Sequence, residues 1–305
     1  MSTLISLFGP TSSGKSALAV ELAKTLSESI VVGADSRQVY RRLTVGTGKE
    51  PGEWVVHPEY GSTYLVQNVP HFLIDYRDPK LRINLVDYVQ DFLEVYTRTK
   101  PRYIILVGGT GLYVDTLTLQ TKLLKVRLTA KDQSELWRNR LQTLDLASLQ
   151  SLSKRAGLIL NRSDFFNSRR LVARLHEAEG KKRNWFEDLL LPRFSRIHRF
   201  ALAPDSNLLK QKITARLNLR FQQGLVEEVE SLQDLGTERL LELGLEYRLT
   251  QLYLLGQLPY PQYQEALLRE NLRLAKRQLT WLNPQNTTIV KTTRDIVRIL
   301  ESPTK

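Results

Sequence analysis

Eight residues near the start of the chain have the types and the spacing of a phosphate-binding loop. Positions 9–16 read Gly-Pro-Thr-Ser-Ser-Gly-Lys-Ser, which fits the pattern G-x-x-x-x-G-K-[ST]. In such a loop the backbone N–H groups turn towards phosphate oxygens, and the dipole of the following helix favours negative charge. Lys15 would reach the terminal phosphates, and the Ser16 hydroxyl suits Mg²⁺ or a phosphate oxygen. The residues predicted to bind phosphate are Gly9, Pro10, Thr11, Ser12, Ser13, Gly14, Lys15 and Ser16.

A phosphate-binding loop alone does not identify the reaction. The Asn-Lys-x-Asp pattern with which GTPases bind guanine is absent from the sequence. Many ATPases and kinases carry an Asp at the end of a second apolar strand, where it helps to hold Mg²⁺. In this chain the apolar run 103–107 ends in Gly108 instead. The sequence therefore predicts phosphate binding and does not favour nucleotide hydrolysis.

A second group that could do chemistry is the carboxylate of Asp35, which follows the apolar run 30–34. At the end of a strand this carboxylate could hold Mg²⁺ or act as a general base. It could equally cap the next helix, as could Ser36, because both residue types are common at helix N-termini. The residues alone leave these alternatives open.

Short apolar runs alternate with stretches of helical periodicity, and this alternation indicates the elements that must position the loop. Strands are expected at Leu4–Phe8, Ile30–Ala34, Phe72–Ile74, Tyr103–Val107, Arg199–Ala203 and Thr288–Lys291, and helices at Ser16–Leu26, Leu85–Thr97, Asn207–Gly224 and Gln262–Leu279. The pattern predicts an α/β fold with a parallel sheet covered by helices on both faces. Ligands of such sheets bind beyond the carboxyl ends of the strands, where we expect Gly9, Asp35 and Gly108.

The segment 120–190 differs from the rest because it carries no convincing strand. Helices are expected there at Ala130–Leu141, Leu146–Ala156 and Ser168–Glu179. We therefore predict a catalytic core formed by 1–119 and 191–305, interrupted by a helical insertion at 120–190. The formal charge of the chain is +12, and residues 122–199 hold 18 Lys and Arg against 8 Asp and Glu, a net +10. Such a concentration of positive charge predicts a nucleic acid partner, the alternative being a solvated basic face.

Composition excludes several other classes of protein. The chain has 305 residues, of which 42% are hydrophobic and 25% charged, as is typical of soluble globular proteins. It contains no cysteine, which excludes disulfides and thiolate metal sites, and its four histidines are too dispersed for a zinc site. We find neither a signal-peptide pattern nor an apolar run that could span a membrane. The expectation is a cytoplasmic protein, monomeric and without a membrane partner.

Six ordered motifs together resemble those of the bacterial tRNA dimethylallyltransferases, also called the IPP transferase family. They are 9–16, 34–40 (Ala-Asp-Ser-Arg-Gln-Val-Tyr), 45–49 (Val-Gly-Thr-Gly-Lys), 70–75 (Pro-His-Phe-Leu-Ile-Asp), 106–113 (Leu-Val-Gly-Gly-Thr-Gly-Leu-Tyr) and 274–282 (Leu-Ala-Lys-Arg-Gln-Leu-Thr-Trp-Leu). A looser match lies at 244–248, and the resemblance covers about 1–118 and 195–282. Six motifs in this order are far more specific than the phosphate-binding loop alone.

The resemblance implies a P-loop NTPase-like fold and a prenyl transfer. Members of the family move the dimethylallyl group of dimethylallyl diphosphate to the exocyclic N6 amine of the adenosine 3′-adjacent to the tRNA anticodon, and release diphosphate. By resemblance, Asp35 is the general base, and Ser16 and Arg216 contact the diphosphate. Mg²⁺ is the expected cofactor, with Ser16 as a ligand, because it would neutralise the leaving group. The residues that match segments touching tRNA are Asp35, Ser36, Arg37, Gln38, Thr110, Arg169, Arg170, Gly244, Tyr247, Arg248, Lys276, Arg277 and Gln278.

The insertion departs from the family pattern. Where members usually carry Arg-Arg-Val-x-Arg, this chain reads Arg-Arg-Leu-Val-Ala-Arg at 169–174, so the third arginine stands one place later. One residue turns a helical side chain by about 100°, and the role of Arg174 therefore stays open. Three rival functions also stay open: prenylation of free AMP or ATP, phosphorylation of a small molecule by a P-loop kinase, and ATP-driven RNA binding without transfer.

Overall fold

The computed structural model of the chain describes residues 1–119, 141, 144–155, 157–179, 192–282 and 285–302. At its centre lies an eight-stranded sheet. The strands are β1 (Thr3–Phe8), β2 (Ser29–Gly33), β3 (Glu53–His57), β4 (Gly61–Val66), β5 (Val69–Phe72), β6 (Tyr103–Gly108), β7 (Arg196–Ala201) and β8 (Thr288–Ile289). They lie side by side in the order β3-β4-β5-β2-β6-β1-β7-β8.

The six strands from β5 to β8 in this order are parallel to one another, while β4 pairs with β5 in the antiparallel sense. The predicted P-loop NTPase-like α/β fold is thereby confirmed. The sequence did not predict β3 and β4, which form an antiparallel hairpin at one edge of the sheet. Every residue of β3 is exposed or only half-buried, so this edge strand lacks the continuous apolar run by which buried parallel strands are recognised.

The described helices of the chain, in order, are α1 (Lys15–Thr25), α2 (Leu85–Thr99), α3 (Gly111–Thr118), α4 (Leu146–Arg155), α5 (Arg162–Phe165), α6 (Ser168–Glu179), α7 (Ser206–Gln222), α8 (Leu225–Glu230), α9 (Thr237–Glu242), α10 (Leu245–Leu254), α11 (Tyr260–Leu279) and α12 (Thr293–Glu301). Several begin with the residues that favour helix starts. Asn84 and Asp87 form a capping box before α2, and the side chain of Asp205 accepts two backbone hydrogen bonds at the start of α7.

Helices cover both faces of the sheet. Successive side chains of a strand point to opposite faces, so Ile5 and Leu7 of β1 lie on one face and Leu4 on the other. On the first face, Ile5 and Leu7 belong to a buried cluster that includes Leu18 and Leu22 of α1. Leu4 is also fully buried, and α3 packs against β1 and β6. Burial on both faces explains why these strands read as unbroken apolar runs.

The carboxyl ends of β1, β2 and β6 meet at one edge of the sheet, as expected for parallel neighbours. Gly9 follows β1, Asp35 lies two residues after β2, and Gly108 ends β6. The backbone N–H of Thr110 donates to the carbonyl of Ala34 over 3.1 Å, which joins two of these ends. A Cβ at Gly108 would lie 2.0 Å from the Ala34 oxygen, so no larger residue fits this junction.

Contacts along the chain separate two units, Met1–Leu119 with Leu191–Lys305, and Gln120–Leu190. In the second unit, which we call the insertion, the described helices are α4, α5 and α6. They surround a small apolar core of their own, consisting of Leu141, Leu149, Leu171, Val172 and Leu175. The expected helix Ala130–Leu141 lies outside the described residues except for Leu141. Among the residues that the structure describes, no helix is long and apolar enough to cross a membrane.

Candidate active site

A cavity of about 730 Å³ opens at the carboxyl edge of the sheet, and we call it the main cavity. Its walls come from the phosphate-binding loop, the segment 44–51, and the helices α7 and α11. Its volume falls within the range of about 300–1,000 Å³ that is usual for small-molecule sites. The predicted site residues that line it are Thr11, Ser12, Gly14, Lys15, Ser16, Asp35, Arg37, Gln38, Arg216 and Gln278.

The phosphate-binding loop leads from β1 directly into α1. Gly14 precedes the first helical residue with φ +93°, and Ser12 has φ +62°, so the loop turns through the left-handed region twice. Lys15 donates from Nζ to the carbonyl of Pro10 over 3.0 Å, which folds its side chain back over the loop. Ser13 is buried. The loop therefore has the form that a phosphate site at a helix N-terminus requires.

Among the cations that line the main cavity are Lys15 in the phosphate-binding loop and Arg216 on α7. Burial, followed by the nearby charge of Arg216, lowers the pKa of Lys15 to about 8, although the charges of Asp35 and Glu50 raise it in part. Burial, followed by the charge of Arg220, lowers the pKa of Arg216 to about 10. Both groups would regain their ordinary basicity beside a polyanion, so the cavity is electrostatically prepared for a compact, highly charged anion.

Arg216 joins two loops that lie far apart in the sequence. Its Nη1 donates to Thr11 Oγ1 over 2.9 Å, and its Nη2 donates to the carbonyl of Gly48 over 3.1 Å. Gly48 has φ +58°, and a Cβ there would lie 1.8 Å from Nη2. The guanidinium is therefore held by the phosphate-binding loop on one side and by the Gly48 turn on the other.

Asp35 closes a turn of the backbone and also lines the main cavity. Its Oδ1 accepts hydrogen bonds from the backbone N–H groups of Arg37 over 2.8 Å and Gln38 over 3.2 Å. The structure has a turn at 36–39 and no helix, so this carboxylate closes a turn and does not cap a helix. The same side chain lines the main cavity and acts electrostatically on Lys15 and Arg216. Its position suits a group that meets a substrate bound beside Lys15 and Arg216.

Gln278 joins two segments of the core, and its contact with tRNA stays a prediction. The sequence placed it in an RNA-contacting channel with Lys276 and Arg277. In the structure its Oε1 accepts from the backbone N–H of Thr11 over 2.7 Å, and its Nε2 donates to the carbonyl of Gly109 over 3.1 Å. The amide of Gln278 thus ties the phosphate-binding loop to the end of β6. Lys276 and Arg277, on the same helix, are exposed.

The other predicted tRNA contacts of the core lie around the main cavity without lining it. Thr110 precedes α3, and its Oγ1 accepts from the backbone N–H of Ser36 over 3.1 Å. Gly244 packs against the side chain of Arg37, and Arg248 is exposed on α10. Tyr247 is 1% exposed, so its side chain supports the core from inside; direct contact of these residues with tRNA stays a prediction.

In the insertion, Arg169, Arg170 and Arg174 of α6 are exposed. Arg170 Nη1 lies 3.5 Å from Asp164 Oδ1, and Arg174 Nε lies 3.5 Å from Asp164 Oδ2. The two arginines therefore occupy the same side of α6, four residues apart, while Arg169 points elsewhere on the helix. Their role in binding RNA stays a prediction.

Sequence reasoning missed several charged residues of the site. Arg220, one turn after Arg216 on α7, lines the main cavity and pairs with Glu246 at 2.5 Å. A spacing of four on a helix would have indicated Arg220. Glu50 also lines the cavity, but nothing in its sequence neighbourhood indicates this.

The donors around the main cavity fit a magnesium ion that enters with a phosphorylated ligand. In such sites Mg²⁺ takes one or two protein carboxylates or hydroxyls and leaves its other positions to phosphate oxygens and water. Ser16 and Glu50 line the cavity near Lys15 and supply one hydroxyl and one carboxylate. Among the described residues there is no cluster of three His, Asp or Glu side chains that would hold a metal by protein ligands alone.

Comparison with known proteins gives consistent family matches. The family model described as IPP transferase matches residues 38–285, and the model described as Isopentenyl transferase matches residues 2–56. The tRNA dimethylallyltransferase 2 of Phocaeicola vulgatus is 36% identical over 284 residues, covering 91% of this chain and 87% of the relative. The tRNA dimethylallyltransferase 2 of Shewanella sediminis is 36% identical over 289 residues, covering 91% and 88%.

Solved structures agree with these matches. The crystal structure of the full-length tRNA isopentenylpyrophosphate transferase from Bacillus halodurans has a TM-score of 0.62 and 28% identity, covering 98% of this chain and 94% of that one. A eukaryotic dimethylallyltransferase acting on tRNA shares the fold, with a TM-score of 0.62 and 18% identity, covering 98% of this chain and 75% of that one. The family model and the relatives match this chain over most of its length, and the phosphate-binding loop and Asp35 lie together at the site. The chain therefore belongs to the IPP transferase family.

Proposed function

We propose that the protein transfers a dimethylallyl group from dimethylallyl diphosphate to the N6 amine of the adenosine 3′-adjacent to the anticodon of tRNA. The observation that carries this proposal is the main cavity, where Lys15 and Arg216 face an anion site and Asp35 lines the same space. Apolar side chains, among them Ile74 and Leu274, also line it and suit a hydrocarbon chain. Relatives that match over nine-tenths of the chain are named for this reaction.

The reaction breaks the bond between the allylic carbon and the diphosphate oxygen and forms a bond from that carbon to nitrogen. As the bond to oxygen breaks, negative charge builds on the diphosphate, where Lys15, Arg216 and the N–H groups of the phosphate-binding loop stabilise it. The electron pair of the amine attacks the carbon. Asp35 accepts the proton that the amine loses, since an aryl amine is a weak nucleophile and gains from a nearby base.

Magnesium, held by Ser16 and Glu50 together with the diphosphate, would supply further positive charge to the leaving group. Lys15 and Arg216 of the protein would supply positive charge to the same group. Binding and orientation of the diphosphate therefore rest on the loop and Arg216.

The adenine must leave its stack in the anticodon loop, because the target nitrogen cannot reach an enclosed cavity from within a stacked helix. The basic residues of the insertion would hold the anticodon stem-loop through its phosphates, without reading its sequence. Cytoplasmic location is part of the proposal, since tRNA is the substrate it assigns, and so is the monomeric state expected from the sequence.

The direct test is incubation of the protein with labelled dimethylallyl diphosphate and total tRNA, followed by digestion and nucleoside analysis. We expect label on N6 of adenosine and release of one diphosphate per group transferred. Free AMP in place of tRNA is the comparison for the first rival function, and ATP with release of ADP is the comparison for the kinase. Label on AMP at a rate equal to that with tRNA would contradict the assignment of tRNA as substrate.

A further inference from the structure

The carboxylate of Glu228, on α8, accepts four hydrogen bonds. Its Oε2 accepts from the backbone N–H groups of Thr44 over 2.9 Å and Val45 over 2.7 Å. Its Oε1 accepts from the backbone N–H of Gly46 over 2.9 Å and from the hydroxyl of Tyr247 over 2.7 Å. A carboxylate has about four lone-pair positions, so the side chain of Glu228 is fully occupied.

The residues that donate to Glu228 belong to a loop, 44–48, whose other side faces the main cavity. On that side the carbonyl of Gly48 accepts from Arg216 Nη2 over 3.1 Å. Gln38 Nε2 donates to the carbonyls of Thr47 over 3.3 Å and Gly48 over 3.2 Å. The backbone N–H groups of 44–46 thus point to the carboxylate of Glu228, and the carbonyls of 47–48 point to Gln38 and Arg216 in the active site.

Close packing leaves this loop little room to move. A Cβ at Gly46 would lie 2.6 Å from the ring of Tyr247, and a Cβ at Gly48 would lie 1.8 Å from the guanidinium of Arg216. Both glycines are therefore in contact with the side chains that flank them. Any shift of the loop away from Glu228 would change the place of the Gly48 carbonyl and, with it, the place of Arg216.

We propose that Glu228 is a positioning residue for the active site and acts through Arg216. By holding the amides of 44–46, it fixes the Gly48 carbonyl that orients the guanidinium towards the phosphate-binding loop. Glu228 itself does not line the main cavity. The inference deepens the proposed function, because the anion that Arg216 would bind is the diphosphate of the substrate, or the diphosphate released as product.

The test is the affinity for inorganic pyrophosphate, measured by calorimetry, in a double-mutant cycle of Glu228→Gln and Arg216→Ala. In Glu228→Gln the amide NH₂ meets a donor where the carboxylate oxygen accepted, so we expect about tenfold weaker binding. In the Arg216→Ala background the same change should alter the affinity by less than about twofold, because coupled residues are not additive. An equal loss in both backgrounds would overturn the proposal.

Glu230→Gln is the matched control, since Glu230 is exposed on the same helix and its replacement removes the same charge. We expect wild-type affinity for this variant. Should Glu228→Gln fail to give a cooperative thermal transition, Tyr247→Phe takes its place in the cycle. That variant removes one of the four donors, and we expect about threefold weaker binding that likewise disappears without Arg216.

Pyrophosphate binding separates this inference from the proposed function. If the effects of Glu228→Gln and Arg216→Ala on pyrophosphate affinity are coupled but the wild-type protein transfers no prenyl group, the role of Glu228 is retained and the proposed reaction is rejected. Prenyl transfer by the wild-type protein together with unchanged pyrophosphate affinity in Glu228→Gln would retain the reaction and reject the role of Glu228.

Discussion

The core and the insertion both carry positive charge, but they present it in opposite ways. In the main cavity of the core, Lys15 and Arg216 are enclosed, and burial lowers the pKa of each. On α6 of the insertion, the side chains of Arg170 and Arg174 are 57% and 55% exposed. The two regions use the same kinds of side chain at very different degrees of hydration.

The difference in exposure of these cations determines which kind of anion each region can bind selectively. A buried cation has lost water, and it gains most from an anion that is small, dense in charge and close to it. An exposed cation keeps its water and interacts through a screened field that salt weakens over a Debye length of about 8 Å at physiological ionic strength. The core is therefore suited to a diphosphate and the insertion to a phosphate backbone.

The largest effect that would test the chemical part of this comparison is expected for Asp35→Asn. The amide oxygen can still accept from the backbone of Arg37 and Gln38, so the turn should persist, but the amide cannot take a proton. We expect transfer in a single turnover to slow by about 10²–10⁴-fold, as is usual for loss of a general base. Affinity for tRNA should be unchanged. Wild-type rates in this variant would remove Asp35 from the mechanism.

A second effect is expected in the insertion, from the double reversal Arg169→Glu and Arg170→Glu. If both arginines contact phosphates, tRNA binding should weaken and the slope of log K against log salt should fall by about 2. Pyrophosphate binding should stay at the wild-type value, because it takes place in the core. The control is Lys291→Glu with Arg294→Glu, which changes the net charge equally at two exposed positions of the core. Equal salt slopes for both double variants would contradict the assigned role.

A third effect concerns Gln278 and separates its role in holding the phosphate-binding loop from its predicted contact with tRNA. Replacement by Leu keeps the size of the side chain and removes both hydrogen bonds, to Thr11 and to Gly109. We expect about tenfold weaker pyrophosphate binding, since the backbone N–H of Thr11, a half-buried residue of the phosphate-binding loop, loses its acceptor. Measured affinity for an anticodon stem-loop should change little. The opposite result, with tRNA affinity lost and pyrophosphate affinity kept, would support the predicted contact with tRNA and contradict the role of Gln278 in the loop.

The smallest effect is a pH dependence set by Lys15. Its pKa of about 8 in the free protein should rise when the diphosphate binds, so binding takes up a proton at alkaline pH. Affinity is thus greatest below pH 8, where the lysine is already charged, and is lost as pH rises. Between pH 8 and pH 9 we expect pyrophosphate binding to weaken by about fivefold. In the Lys15→Arg variant this fall in affinity near pH 8 should disappear, and only the pH dependence of pyrophosphate ionisation should remain. If the fall near pH 8 persists in the variant, a group other than Lys15 causes it.

The sequence anticipated those parts of the fold and the site that depend on local pattern. The apolar runs of β1, β2 and β6 are buried on both faces, so hydrophobicity alone marked them, and the spacing of Gly14 and Lys15 marked the loop between β1 and α1. The hairpin of β3 and β4 escaped prediction because an exposed edge strand has no continuous apolar run. Apart from Arg220, whose spacing from Arg216 on α7 was a local signal that went unused, the residues that were missed owe their environment to distant segments.

What the sequence by itself determined is therefore the phosphate-binding loop, the carboxylate of Asp35 at the end of a strand and the excess of positive charge in 122–199. Only the tertiary structure decided that Gln278 serves the loop, that Tyr247 is enclosed, and that Glu228 and Arg216 hold the two sides of one turn. The physical reason is that a hydrogen bond or a lowered pKa depends on which groups come within a few ångströms of each other. For these residues the partners stand up to 267 positions away along the chain.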